Sequence, residues 1–219
     1  DVVMSAATRA APHRGSLPSG KTMVRPELER LLQLLDKSDR RLIVLIGEGG
    51  SGKSTLLADL SKRLQDRGTF PIAIRLDRLA RDSATKKDLQ RHLDLSRPFV
   101  DAARTVAASA RTVVLLDQFD ALCEVVSRST RRLDLVLQTI EHLLQTPELR
   151  IVVACRPMEY EYDERLSQLD PEIVRLAPPP WNEIAVHIDD AGVPPETIGE
   201  ELREELRRPL VLSTFLRLV

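Results

Sequence analysis

Apolar positions along the chain fall into short unbroken runs and longer periodic stretches. The runs occupy residues 42–46, 70–76, 112–116, 150–154 and 172–176. Continuous apolar runs of this length suit strands buried on both faces of a parallel sheet. Between them the spacing becomes helical. Leu28, Leu31, Leu32 and Leu35 line one face of a helix that opens at Pro26 and ends near Ser38. Leu56, Leu57, Leu60 and Leu64 mark a second helix over 54–67, stopped by Gly68. The polar stretch 77–110 is helical and divided by Pro98, with Phe99, Ala103, Val106 and Ala107 on one face of its second half. Leu133, Val136, Leu137, Ile140 and Leu144 predict a helix over 131–145. Strands alternating with helices imply an α/β fold, a parallel sheet covered on both sides.

After Ala177 the pattern changes. Pro178, Pro179 and Pro180 interrupt it, and helical spacing resumes over 181–191, 197–207 and 210–219. These segments predict a small helical lid. Residues 1–21, rich in Ala, Ser, Gly and Pro, read as a linker. With no initiator Met at Asp1 and an apolar helical pattern running to Val219, the chain reads as a fragment of a larger protein.

The first run leads into Gly47-Glu48-Gly49-Gly50-Ser51-Gly52-Lys53-Ser54, followed by Thr55. This matches the phosphate-binding loop G-x-x-x-x-G-K-[ST] at every fixed position, between a strand and a helix as that loop requires. Glycines let successive backbone N–H groups converge on an anion, and the helix that follows aims its positive end at the same point. Lys53 supplies a mobile charge for the outer phosphates, and the Ser54 hydroxyl is a hard oxygen donor suited to Mg2+. The predicted organisation is therefore a linker over 1–21, a P-loop nucleotide-binding domain over 22–177, and the start of the lid over 178–219.

The third run ends in Asp117-Gln118-Phe119-Asp120. Ligands of open parallel sheets sit at the carboxyl ends of the strands, so Asp117 is expected to be the acid that shares the magnesium with Ser54. Asp120 is the nearest acid for activating water, while Gln118 can orient water but is a poor base. The fourth run delivers Arg156, a cation placed to sense a γ-phosphate. That placement favours the strand order 5-1-4-3-2, with the fourth strand between those of the loop and of Asp117. Adjacent motif strands, the order of kinases and small GTPases, are the alternative.

Composition narrows the partners. The formal charge is -1 and aromatic residues make up 3% of the 219 positions, which argues against a nucleic-acid surface. No apolar run reaches membrane length and no signal peptide is present. Cys123 and Cys155 show no metal spacing and read as thiols of a reducing compartment, consistent with a cytoplasmic protein. Arg128, Arg131 and Arg132 read as a solvated helix start, with a trans-acting finger or a partner patch as alternatives. Trp181 reads as a lid hinge packed on the core.

Taken together, these segments resemble the STAND class of P-loop NTPases, in its NACHT-like branch of innate-immune and antiphage signalling ATPases. The resemblance covers about residues 25–219 and rests on GEGGSGKSTLL, VVLLDQFDAL, IVVACRP and RRPLVLSTFL. It implies a three-layer P-loop sandwich that binds ATP or ADP with Mg2+ and hydrolyses ATP slowly. It implies phosphate and metal binding by Lys53 and Ser54, a magnesium acid at Asp117, a catalytic acid at Asp120 and a sensor at Arg156. It also implies a base-contacting proline at Pro209 and, more loosely, an arginine near the nucleotide at Arg25. Members often carry Glu directly after the second acid, where this chain has Ala121. The resemblance further implies self-association on activation and attached effector and sensor domains. Competing readings are a small-molecule or nucleotide kinase and a P-loop that serves only as an interaction scaffold. A helicase or DNA loader shares the fold. A GTPase is disfavoured because no N-K-x-D segment is present.

Overall fold

In the computed structural model, which describes residues 23–123, 130–162 and 164–219, every apolar run becomes a strand. These are β1 (Leu42–Ile46), β2 (Phe70–Arg75), β3 (Thr112–Asp117), β4 (Leu149–Cys155) and β5 (Glu172–Arg175). They form one parallel sheet in the order β2-β3-β4-β1-β5. This is the expected order 5-1-4-3-2, and the architecture is that of an α/β P-loop NTPase.

Strand geometry points alternate side chains to opposite faces, and both faces are apolar. Val44, Ile46, Val114, Leu116, Ile151 and Val153 face one cluster, which is covered by α4 (Phe99–Ala107) and α5 (Arg131–Leu144). Ile43, Leu45, Val113, Leu115, Val152 and Ala154 face the other, under α1 (Pro26–Lys37) and α2 (Lys53–Asp66). The stripes expected from spacing fill these clusters, Leu56, Leu57, Leu60 and Leu64 of α2 among them. Burying one such leucine contributes about 1.5–3 kcal/mol. The short α3 (Lys86–His92) is closed by a capping box in which Thr85 and Asp88 satisfy each other's backbone N–H groups.

Several boundaries differ from expectation. β2 stops at Arg75, and Leu76 opens a 3-10 turn, Leu76–Arg78. Two short helices, α6 (Pro157–Tyr162) and α7 (Glu164–Ser167), follow β4. A proline fits the first helical turn because its missing N–H has no partner there anyway, so Pro157 starts α6 rather than breaking the chain. After α8 (Trp181–Asp190), a 3-10 turn at Pro195–Thr197 delays α9 until Glu200–Leu206. The last helix, α10, spans Pro209–Phe215 and stops short of Val219.

The C-terminal helices bury Ile184, Ile188, Ile198, Leu206, Leu212 and Leu216 in a cluster of their own. Trp181 packs against this cluster rather than against the sheet, with the Arg203 guanidinium 5.1 Å from its ring centre.

Candidate nucleotide site

The loop between β1 and α2 begins where Gly47 N–H donates to the Cys155 carbonyl of β4 at 3.2 Å. A Cβ at Gly47 would lie 2.8 Å from the Ser51 Oγ and 3.1 Å from the Leu176 Cβ. A larger residue there would crowd Ser51 within the loop and Leu176 at the exit of β5. Gly50 and Gly52 have φ of +75° and +97°, conformations that glycine adopts without steric cost. Lys53 opens α2 and folds its Nζ back onto the loop, donating to the Gly47 carbonyl at 2.6 Å and the Glu48 carbonyl at 3.0 Å. Burial lowers the Lys53 pKa, opposed by the charge of Asp120 and reinforced by that of Arg156.

Two elements clamp the loop from behind. Arg25, directly before α1, donates from Nη2 to the Ser51 carbonyl at 2.9 Å and from Nη1 to the Ala177 carbonyl at 3.0 Å. Glu27 accepts from the Ala177 N–H at 3.1 Å. Arg25 thus ties the loop to the exit of β5, where the lid begins. On the lid side, Leu210 N–H donates to the Gly50 carbonyl at 3.3 Å, and a Cβ at Gly50 would stand 3.1 Å from the Leu210 Cβ. Pro209 lies beside Gly52, 3.7 Å from where a Cβ would be. The expected Pro209 and Arg25 positions both meet the loop through protein contacts.

The carboxyl end of β3 brings the acids together. Asp117 is 2% exposed. Its Oδ1 accepts from the Gln118 N–H at 2.9 Å, and Gln118 takes a left-handed φ of +61° as the chain leaves the strand. The other oxygen, Oδ2, is buried without a hydrogen-bond partner. Burial raises the Asp117 pKa; the Ser54 hydroxyl, which reaches the carboxyl group, and the Gln118 N–H oppose that shift. An orphaned carboxylate oxygen beside a hydroxyl suits a hard cation. Among the described residues no cluster of three or more His, Cys, Asp or Glu could hold a metal ion. A magnesium ion here would rely on Ser54 and Asp117 together with phosphate oxygens, and would supply charge neutralisation at the phosphates.

Burying an ionised carboxylate has a measurable signature. Because the folded-state pKa is raised, the native protein binds more protons than the unfolded chain above the ordinary carboxylate range. Stability therefore falls as pH rises through that window. Asp117→Asn is expected to raise the melting temperature of the nucleotide-free protein at neutral pH. The gain should vanish when the scan is repeated below the ordinary carboxylate pKa. The same variant should lose its response to Mg2+ in nucleotide binding.

Asp120 lies in the 3-10 turn Phe119–Leu122, held down by the buried Phe119 and Leu122. Its Oδ2 pairs with Arg156 Nε at 3.0 Å. The sensor and acid expected separately from sequence are thus partners. The Cys155 thiol, next to Arg156, is pushed up to about 12 by burial and stays protonated. Arg132 is not the solvated residue that the charge run predicts: it is buried and bonded to two main-chain carbonyls. The clue was its spacing, since Leu135, Val136 and Thr139 follow at three, four and seven positions on the same buried face. Arg131 is exposed, and Arg128 lies outside the described residues.

Known structures share this framework. The Walker-type ATPase of Pyrococcus abyssi superposes with a TM-score of 0.64 at 15% identity, covering 93% of this chain and 69% of that one. AMPPCP-bound DnaA of Aquifex aeolicus gives 0.61 at 14% identity, over 94% and 65% of the two chains. A replication initiator DnaA bound to AMPPCP and single-stranded DNA gives 0.58 at 17% identity, over 90% and 61%. These likenesses establish the fold. In sequence, the GTPase Der of Latilactobacillus sakei is 29% identical over 103 residues, 47% of this chain and 24% of that protein. The chain thus spans about a quarter of the length of that curated relative. The AAA ATPase domain family matches residues 25–153, more than half of the chain and the full span from Arg25 through the loop and Asp117 into β4. The chain belongs to the AAA ATPase domain family.

Proposed function

We propose that the chain is the ATP-dependent switch module of a larger signalling protein of the STAND, NACHT-like kind. Residues 22–177 bind Mg-ATP and residues 178–219 begin the lid that reads it. Lys53 and the loop N–H groups hold the phosphates, Ser54 and Asp117 share the magnesium, and Asp120 activates water. Arg156 senses the γ-phosphate. The observation that carries this reading is the seat of α10 on the loop, with Leu210 bonded to the Gly50 carbonyl and its Cβ against the glycine. A phosphate entering the loop competes with the Gly47 and Glu48 carbonyls for the Lys53 ammonium. A loop that rearranges beneath α10 biases the lid.

The Asp120–Arg156 pair supports slow turnover. Each charge neutralises the other, and the acid becomes competent when a γ-phosphate competes for Arg156. Ala121 stands where members of the NACHT-like class often carry a second acid. Attached effector and sensor domains and self-association complete the proposal; antiviral defence is the setting the family likeness suggests. Among the described residues no helix is long and apolar enough to cross a membrane.

The test compares ATP, ADP, GTP and a non-hydrolysable ATP analogue by hydrogen exchange over residues 209–216, alongside phosphate release. The expected result is analogue-dependent protection change in that segment, weaker with GTP, and turnover below about 1 s⁻¹, the low end for enzymes, without any acceptor. Phosphate transfer only in the presence of an acceptor points to the kinase reading instead. Nucleotide binding with no change at 209–216 removes the switch.

A further inference from the structure

Helix α5 opens on two arginines whose fates differ. Arg131 faces solvent, whereas Arg132 is 6% exposed. That position is doubly unfavourable for a cation. A buried guanidinium loses its hydration, and the first turn of a helix carries the positive end of the backbone dipole. What offsets this is a pair of hydrogen bonds: Nη1 to the Leu79 carbonyl at 3.1 Å and Nη2 to the Ala121 carbonyl at 2.7 Å.

The two acceptors lie at the exits of neighbouring strands. Leu79 follows the 3-10 turn Leu76–Arg78 after β2. Ala121 lies within the turn Phe119–Leu122 after β3. One rigid planar fork bridges both turns, a geometry that the point charge of a lysine cannot reproduce.

The turn it grips is short. Entry is through Gln118 at φ +61°, and its backbone bonds include Ala121 N–H to the Gln118 carbonyl and Cys123 N–H to the Asp120 carbonyl, both 3.1 Å. Short 3-10 bonds and a left-handed non-glycine residue need outside support. The side chain between those bonds is Asp120, aimed at Arg156.

We infer that Arg132 is a positioning residue for ATP hydrolysis: it fixes the Phe119–Leu122 turn, and through it the Asp120 carboxylate, without touching nucleotide. This rests on the reading of Asp120 as the acid that activates water. The two Arg132 acceptors, Leu79 and Ala121, lie outside the phosphate loop. Its loss therefore acts on the chemical step and leaves affinity alone.

The test uses the full chain with Arg132→Lys, Arg132→Met, Asp120→Asn and the double variant Arg132→Lys/Asp120→Asn. Steady-state phosphate release, ATP affinity by fluorescent titration and melting temperature are measured for each. Misplacing a reacting group by a fraction of its reach costs on the order of 10–100-fold in rate. Arg132→Lys is expected to lower kcat in that range with Kd for ATP within about twofold, and to add nothing once Asp120 is already Asn. Arg132→Met should lower kcat further; if it fails to fold, the charge-keeping Lys variant decides. The inference is overturned if Arg132→Lys keeps kcat within twofold, if kcat and affinity fall together, or if it slows the Asp120→Asn protein further. Full turnover in Asp120→Asn alone overturns the underlying reading of Asp120 instead, and is seen separately.

Discussion

Asp120→Asn is expected to leave ATP binding intact and to lower turnover by about 10²–10⁴-fold, the range contributed by a positioned general acid or base. The substitution keeps the side chain's shape and removes its charge. The carboxylate is 12% exposed and held against Arg156 at 3.0 Å. Arg156, 52% exposed, has room to turn toward an incoming phosphate. Without the opposing charge, that guanidinium is released to the γ-phosphate, so ATP affinity should stay level or tighten. Phosphate-release assays set against fluorescent ATP titration separate the two effects. A variant that turns over at the parent rate would transfer the role to another group, with Gln118 the nearest.

Lys53→Ala is the second large effect, and it falls on affinity. A hydrogen bond to a charged group contributes about 1.5–3 kcal/mol, so losing the ammonium should weaken ATP binding roughly 10–100-fold. The ammonium rests on two main-chain carbonyls, and burial lowers its pKa. A phosphate favours the protonated form, so ATP binding should take up protons and weaken as pH rises through the lowered pKa. Titrations of parent and variant across pH test both points. The parent's slope should disappear in Lys53→Ala. An unchanged affinity in the variant would place the phosphates elsewhere.

Much of this architecture is legible in the residues because it rests on local patterns. Runs such as Leu42–Ile46 suit strands buried on both faces, and the loop motif sits between strand and helix in the one context it needs. The placement of Arg156 favours the strand order without deciding it, and the pairing of β4 with β1 shows that order. What escaped depends on tertiary closure. The Asp120–Arg156 pair joins residues 36 positions apart through the β3–β4 register, which neither segment reveals alone. Arg132 looked like part of a charge run because charge is a local property, while its two acceptors, Leu79 and Ala121, come from other loops. The Arg25 interactions were hidden for the same reason: proximity to the loop was foreseeable, but its carbonyl partners were not. At the C-terminal end, Pro195 and Gly199 delayed α9, since both favour turns over continued helix.

The packing of Trp181 has a practical consequence. It is the chain's one tryptophan, and it sits among the C-terminal helices with an arginine stacked on its ring. Excitation at the red edge of the indole band therefore illuminates that region alone and leaves the sheet dark. Emission recorded in a stopped-flow mixer turns the unlabelled protein into its own displacement gauge, timing any departure of those helices within milliseconds of ligand arrival.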